Sequence, residues 1–236
     1  MRSRPRCLLY TSIADADRIA AHGDEFIHSI PQYYAEKYRN IKVKQEACQE
    51  LTAGFLLKSY LGVWSDGQLI RNRYGKPMLR SGEICFNLSH SGNYVALAIA
   101  DMEIGVDMER IMDIHWPSVR KVFSGEQQVR LKQTPEKEQS IQFTRMWTEC
   151  EAALKLLGTG FAAGAVYENE GRFVHWFQYG DYMVACAANE DFQISVREAG
   201  REELVHGPKA AKRQAAGRQA AGHPLSRIRG MMRGEI

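Results

Sequence analysis

Asp107 and Glu109 stand two residues apart in Ile104-Gly-Val-Asp-Met-Glu-Arg110. The segment reads as a short β-strand, whose side chains alternate between two faces. Ile104, Val106 and Met108 then share one face, and the two carboxylates share the other. Neighbouring carboxylates repel unless a cation or a shared proton lies between them. The pair therefore fits either a solvated strand face or two ligands of a hard cation. A third carboxylate, Glu151, and an ammonium, Lys155, are four residues apart in a segment of helical periodicity, with Thr148 on the same face. Glu151 could simply pair with Lys155. If it instead meets Asp107 and Glu109 across a cleft, three carboxylates suit Mg2+ shared with phosphate oxygens. Lys155, Lys76 and the run Lys37, Arg39, Lys42 and Lys44 could then offset phosphate charge, although that run also fits a solvated loop or helix face.

These residues need elements to position them. The spacing of Ala47, Leu51 and Phe55 predicts a helix over 46–60. Phe143, Met146, Trp147, Cys150, Leu154 and Leu157 predict the longest helix, over 140–157, ended by Gly158-Thr-Gly160. Strands are expected over 5–11, 84–90, 94–100, 104–110, 173–177, 182–187 and 193–197. Ser91-Gly-Asn93 has good turn chemistry for a hairpin, and the 84–90, 94–100 and 104–110 strands are expected to form a meander. Shorter helices are expected over 15–22 and 119–131, with Ser124 a possible cap. Arg73 to Leu79 reads as a turn. The coarse order of strand, helix and strands occurs in both halves.

Composition narrows the function. Hydrophobic residues at 44% and charged residues at 25% suit a globular protein with a proper core. No apolar run approaches the ~20 residues of a membrane helix. The basic N-terminus is followed by too short an apolar block for a secretory signal, so a cytoplasmic location is expected. Cys7, Cys48, Cys85, Cys150 and Cys186 are scattered without a CxxC pair, which argues against a zinc site or a disulfide framework. The net charge of +3 is carried by residues 207–236, where seven of the 31 basic residues but only one of the 28 acidic ones lie. The remaining 24 basic and 27 acidic groups give a slightly acidic body, which weakens a nucleic-acid reading. The Ala-, Gly-, Gln- and Arg-rich stretch from 207 to 236 is expected to be a disordered basic tail.

Four motifs in order carry a resemblance: Gly75-Lys-Pro77, Phe86-Asn-Leu-Ser-His-Ser91, Gly105-Val-Asp-Met-Glu109, and Trp147-Thr to Glu151-Ala-Ala-Leu-Lys155 followed by Gly158 and Gly160. Together they resemble the signature set of the 4′-phosphopantetheinyl transferases, over about residues 8–200. The length resembles the large, surfactin-synthetase-activating type. The resemblance implies an α+β pseudo-dimer of two similar subdomains, 1–103 and 104–206, each a small antiparallel sheet with a long packed helix. It implies a monomer that moves the phosphopantetheine arm of coenzyme A to a serine of an acyl or peptidyl carrier protein, releasing adenosine 3′,5′-bisphosphate. Asp107, Glu109 and Glu151 would hold Mg2+. Glu151 would be the first choice of base, and Lys155 would neutralise phosphate charge. Ser89 and His90, with Lys76 nearby, would contact the CoA phosphates. Lys44, helped by Lys37, Arg39 and Lys42, would meet the 3′-phosphate.

Two positions depart from the family pattern. Cys150 stands where a lysine usually precedes the helix glutamate, with Arg145 or Lys155 as possible substitutes. Phe123-Ser-Gly-Glu-Gln127 carries its acid, Glu126, one position early. A Mg2+-dependent CoA phosphohydrolase and a non-catalytic CoA or carrier-protein binder are the alternative functions.

Overall fold

In a computed structural model of the chain, residues 7–12, 24–160 and 171–206 are described. The helix expected over 15–22 and the tail from 207 lie outside them. Strand β5 (Tyr94–Ala100) shows why the elements stack in layers. It lies between β4 (Cys85–Ser91) and β1 (Cys7–Ser12) and is antiparallel to both. One face of β5 carries Val95 and Leu97. They pack with Leu51, Phe55, Leu56 and Leu57 of the long helix α3 (Lys44–Leu61), all shut off from solvent. Burying each such side chain contributes about 1.5–3 kcal/mol. The helices α1 (Asp24–Ile27) and α2 (Gln32–Asn40) complete this core through Ile27, Tyr34 and Ala35.

The other face of β5 carries alanines at 96, 98 and 100, with Tyr94 at its end. Their small size admits a second sheet at close range. This sheet runs in the order β6 (Ile104–Arg110), β8 (Tyr182–Ala188), β7 (Phe173–Tyr179) and is antiparallel throughout. Ile104, Val106 and Met108 face the alanines, together with Val184 and Cys186. Ala185 and Ala187 on the reverse face meet α6 (Glu136–Leu157). Two shorter helices, α4 (Trp116–Val122) and α5 (Gly125–Gln133), cover the remaining side of α6 through Val119, Val122 and Leu131. The order is helix, sheet, sheet, helix, and the class is α+β.

Three expectations change. The meander stops at β5: β6 pairs with β8, and β4 meets β6 through side chains rather than a backbone ladder. The helix expected over 119–131 is broken at Phe123. Ser124 there caps a new helix in a capping box with Gln127, accepting from its N–H (3.3 Å) while the Gln127 side chain accepts from the Ser124 N–H (2.9 Å). The last described elements return to the first half. Strand β9 (Val196–Glu198) adds in parallel to β1, and α7 (Arg201–His206) docks on α3, where Ser59 Oγ donates to the Leu204 carbonyl at 2.6 Å.

A hairpin of β2 (Leu69–Arg71) and β3 (Pro77–Leu79) latches the far end of α6. Asn72 donates to the Gly158 carbonyl at 2.8 Å, and its Oδ1 accepts from the Tyr74 and Lys76 amides. Lys76 Nζ donates to the Leu156 carbonyl at 3.0 Å and pairs with Glu103 at 2.9 Å. These donors satisfy carbonyls that a helix C-terminus leaves open. Asn72→Ala is expected to cost about 1–3 kcal/mol of stability, since the buried Gly158 carbonyl loses its donor. Urea denaturation measures it, and an unchanged midpoint would contradict the latch.

Candidate active site

The alternation of β6 places Asp107 toward α6, and there it is buried, at 1% exposure. Gly105, two residues earlier, brings the strand that close. A Cβ at this position would overlap the Ala152 carbonyl oxygen and the Leu156 amide of α6. The strand and helix backbones touch here, and this contact sets Asp107 and Glu109 against Glu151 and Lys155.

Lys155 Nζ lies 2.5 Å from Asp107 Oδ1 and 2.9 Å from Ser89 Oγ. Ser89 donates to the same Asp107 oxygen at 2.9 Å and accepts from the Met108 N–H at 3.1 Å. Two residues further along both strands, Ser91 donates to Glu109 Oε2 at 2.8 Å. The second Asp107 oxygen is buried without a hydrogen-bond partner among the described residues. An unpaired buried acceptor is costly, and more so when charged.

The three carboxylates feel one another's charge. Burial and the Asp107 charge push Glu109 up to about 7, against the Ser91 bond that favours its charged form. Burial and Asp107 likewise push Glu151 up to about 7, against the pull of Lys155 and a hydrogen bond from Trp147. Burial works against the Lys155 ammonium, but Asp107, with Glu151 and Glu109 behind it, wins and raises its pKa. As the side chains stand, no three His, Cys, Asp or Glu among the described residues form a closed set around a metal ion. Lys155 supplies the positive charge at Asp107. A buried carboxylate oxygen without a partner and two carboxylates of raised pKa nevertheless suit a cation, which would relieve all three.

The raised values make a pH prediction. Folded, Glu109 and Glu151 keep protons up to about pH 7; unfolded, they release them near about 4.3. The folded state binds more protons across that window, so this contribution to stability is complete below it and is lost as pH rises through about 7. With divalent ions chelated, Tm is expected to fall between pH 5 and 8, and to fall less in Asp107→Asn. Equal slopes for the two proteins would contradict the coupling.

Of the other expected site residues, only Ser89 lies at this centre among the contacts described. Ser89 uses its one hydrogen and both acceptor sites on Asp107, Met108 and Lys155, so its hydroxyl has no capacity left for a phosphate. His90, on the opposite side of β4, has its pKa lowered by partial burial against the charge of Glu50. It also feels Lys155, Lys37 and Asp107. Lys37 pairs with Glu50 at 2.6 Å. Lys44 begins α3 and lies over the Tyr38 ring. Arg39 and Lys42 are exposed. Lys76 is held at the α6 C-terminus by Glu103 and Leu156. Sequence reasoning missed Gly105 and Ser91.

Comparison with known proteins matches residues 103–187 to the 4′-phosphopantetheinyl transferase superfamily model. That stretch runs from the start of β6 to β8 and contains Asp107, Glu109, Glu151 and Lys155. Over this stretch the chain is similar to the 4′-phosphopantetheinyl transferase superfamily. Among its relatives is the 4′-phosphopantetheinyl transferase gsp of Aneurinibacillus migulanus, 31% identical over 129 residues, 52% of this chain and 53% of that protein. Another is psf-1 of Bacillus pumilus, 36% identical over 91 residues, 38% of this chain and 39% of that protein. The transferase Sfp of Bacillus subtilis (strain 168) is 24% identical over 222 residues, 84% of this chain and 99% of that protein. The chain thus matches about half the length of gsp and less of psf-1.

Both departures from the superfamily's pattern have physical accounts. Cys150 is fully buried in the apolar cluster with Phe143, Leu154 and Val119, and burial first, then Glu151 and Asp107, pushes its thiol up to about 12. It is a neutral core residue. Arg145 does not replace the lost cation, since it lies 3.8 Å from Glu149 and over the Trp176 ring, on another face of α6. Gln127 occupies the capping-box position that a glutamate fills equally well. Glu126 is exposed on the first turn of α5.

Proposed function

We propose that this chain transfers the 4′-phosphopantetheine arm of coenzyme A to a serine of an acyl or peptidyl carrier protein, with Mg2+ held by Asp107, Glu109 and Glu151. The observation that carries the proposal is the buried Asp107, one oxygen bound by Lys155 and Ser89 and the other without a hydrogen-bond partner among the described residues, beside two carboxylates of raised pKa. The relatives' shared name, 4′-phosphopantetheinyl transferase, supports the same chemistry.

Phosphoryl transfer asks the protein for positioning and charge neutralisation rather than covalent chemistry. The carrier serine Oγ attacks the pyrophosphate phosphorus on the pantetheine side. The bond from that phosphorus to the bridging oxygen breaks, and adenosine 3′,5′-bisphosphate leaves. Glu151 would accept the serine proton, directly or through a water. Lys155, cationic throughout, offsets phosphate charge. Bound Mg2+ would neutralise the pyrophosphate and the leaving group. Lys37, Arg39, Lys42 and Lys44, from α2, the loop after it and the start of α3, are assigned to the nucleotide end of CoA. The two halves, each a small sheet on a long helix, are read as a pseudo-dimer. The first supplies Ser89 and Ser91 and the second the carboxylates, so one chain completes the site and a monomer suffices.

Chromatography of the nucleotide products tests the reaction. Adenosine 3′,5′-bisphosphate should appear in step with the amount of apo carrier added. Its release from CoA without any carrier would instead make the chain a phosphohydrolase.

A further inference from the structure

Strand β6 is the edge of its sheet, and the N–H groups of Val106, Met108 and Arg110 turn away from β8 toward β4. An edge strand normally leaves such groups to water or to another strand. Here three side chains at alternate positions of β4 receive them. Asn87 Oδ1 accepts from Val106 at 2.9 Å, Ser89 Oγ from Met108 at 3.1 Å and Ser91 Oγ from Arg110 at 3.0 Å. Two of these rungs do more than join the sheets. A serine hydroxyl that accepts an N–H still has its own hydrogen to give. Ser89 gives it to Asp107, the residue before Met108, and Ser91 gives it to Glu109, the residue before Arg110. The same unit is repeated two residues on. The Asn87 rung lies opposite Gly105 and Val106 and touches no carboxylate.

We propose that Ser91 is a positioning residue, which fixes the Glu109 carboxylate for the metal by taking the Arg110 N–H and aiming its own hydrogen at Glu109. Ser89 does the same for Asp107, but it also holds Lys155, so its effect cannot be isolated. Glu109 lies near the exposed end of β6. Without Ser91 its long side chain regains rotamer freedom, which cation binding must then remove. Partners that orient metal ligands typically matter by about 10–100-fold in metal affinity. The inference rests on the metal assignment made under the proposed function.

The test is Mn2+ binding to the full chain, followed by the electron paramagnetic resonance of free Mn2+, with Tm recorded for each variant. Ser91→Ala should weaken Mn2+ binding by about tenfold or more. Ser91→Thr should restore it, and Ser91→Val, matched to threonine in shape, should not. Asn87→Ala cuts a rung of the same ladder and should lower Tm while leaving Mn2+ affinity unchanged. Wild-type affinity in Ser91→Ala and Ser91→Val would overturn the role given to Ser91, as would equal losses in Asn87→Ala and Ser91→Ala. Failure of the wild-type chain to bind Mn2+ would overturn the metal assignment itself, and this inference with it.

Discussion

Gly105→Ala should cost stability and activity together. The added methyl would overlap the Ala152 carbonyl oxygen and the Leu156 amide nitrogen. Both are backbone atoms inside α6, so no side chain can swing away to make room. Overpacking of a core typically costs about 1–3 kcal/mol, and a clash between two backbones belongs at the upper end or beyond it. The functional loss follows from where the strain is relieved. Moving α6 away from β6 separates Glu151 and Lys155 from Asp107 and Glu109. A misplacement of about 1 Å in a positioned site can cost about 100-fold in rate. Thermal unfolding and kcat/KM on the same preparation measure both effects. A Gly105→Ala protein with wild-type Tm and turnover would show that this backbone contact does not set the site.

The Asp107–Lys155 pair separates stability from chemistry. Asp107 is buried, and Lys155 Nζ meets it at 2.5 Å with 28% of its side chain exposed. Removing one partner of a buried pair leaves an uncompensated charge and costs about 3–5 kcal/mol. Lys155 keeps some solvent, so Asp107→Leu alone should fall near the lower end of that range. It should also abolish turnover, since it removes a central carboxylate and releases Lys155. Replacing both members by apolar residues of similar size is often neutral or stabilising. The double variant Asp107→Leu, Lys155→Met should therefore recover most of the lost stability and none of the activity. Urea denaturation and a turnover assay read the two quantities. Recovery of activity in the double variant would remove both residues from the chemistry, and a double variant as unstable as Asp107→Leu would mean that the pair is not what holds the site.

Local patterns were legible wherever period and chemistry agreed. The alternation from Ile104 to Glu109 placed Asp107 and Glu109 opposite the apolar face, as found. The long helix was legible from its apolar spacing, though it begins at Glu136 after Pro135, ahead of the first large apolar residue. What failed was pairing between distant segments. Nothing local distinguishes a third meander strand from an edge strand that leaves for β8. The only trace is the polar side of β4, Asn87, Ser89 and Ser91 at period two, which reads equally well as a wet face. The break at Phe123 had a signal in Ser124 and Gln127, a capping box inside an otherwise continuous helical pattern. Gly105 could not be read as a close approach, because the backbone it touches lies about fifty residues on, in α6. Cys150 was legible as a core residue from the apolar stripe it shares with Phe143, Met146 and Leu154, although its motif position suggested a lost cation.

The intact mass of a carrier protein tests the central claim most directly. Apo carriers of fatty-acid, polyketide and nonribosomal-peptide type are incubated with the chain, CoA and Mg2+, beside matching carriers whose acceptor serine is replaced by alanine. At least one apo carrier should gain the mass of a phosphopantetheine arm, and its alanine counterpart should gain nothing. Unmodified carriers of all three types, with CoA left intact, would contradict the proposed transfer.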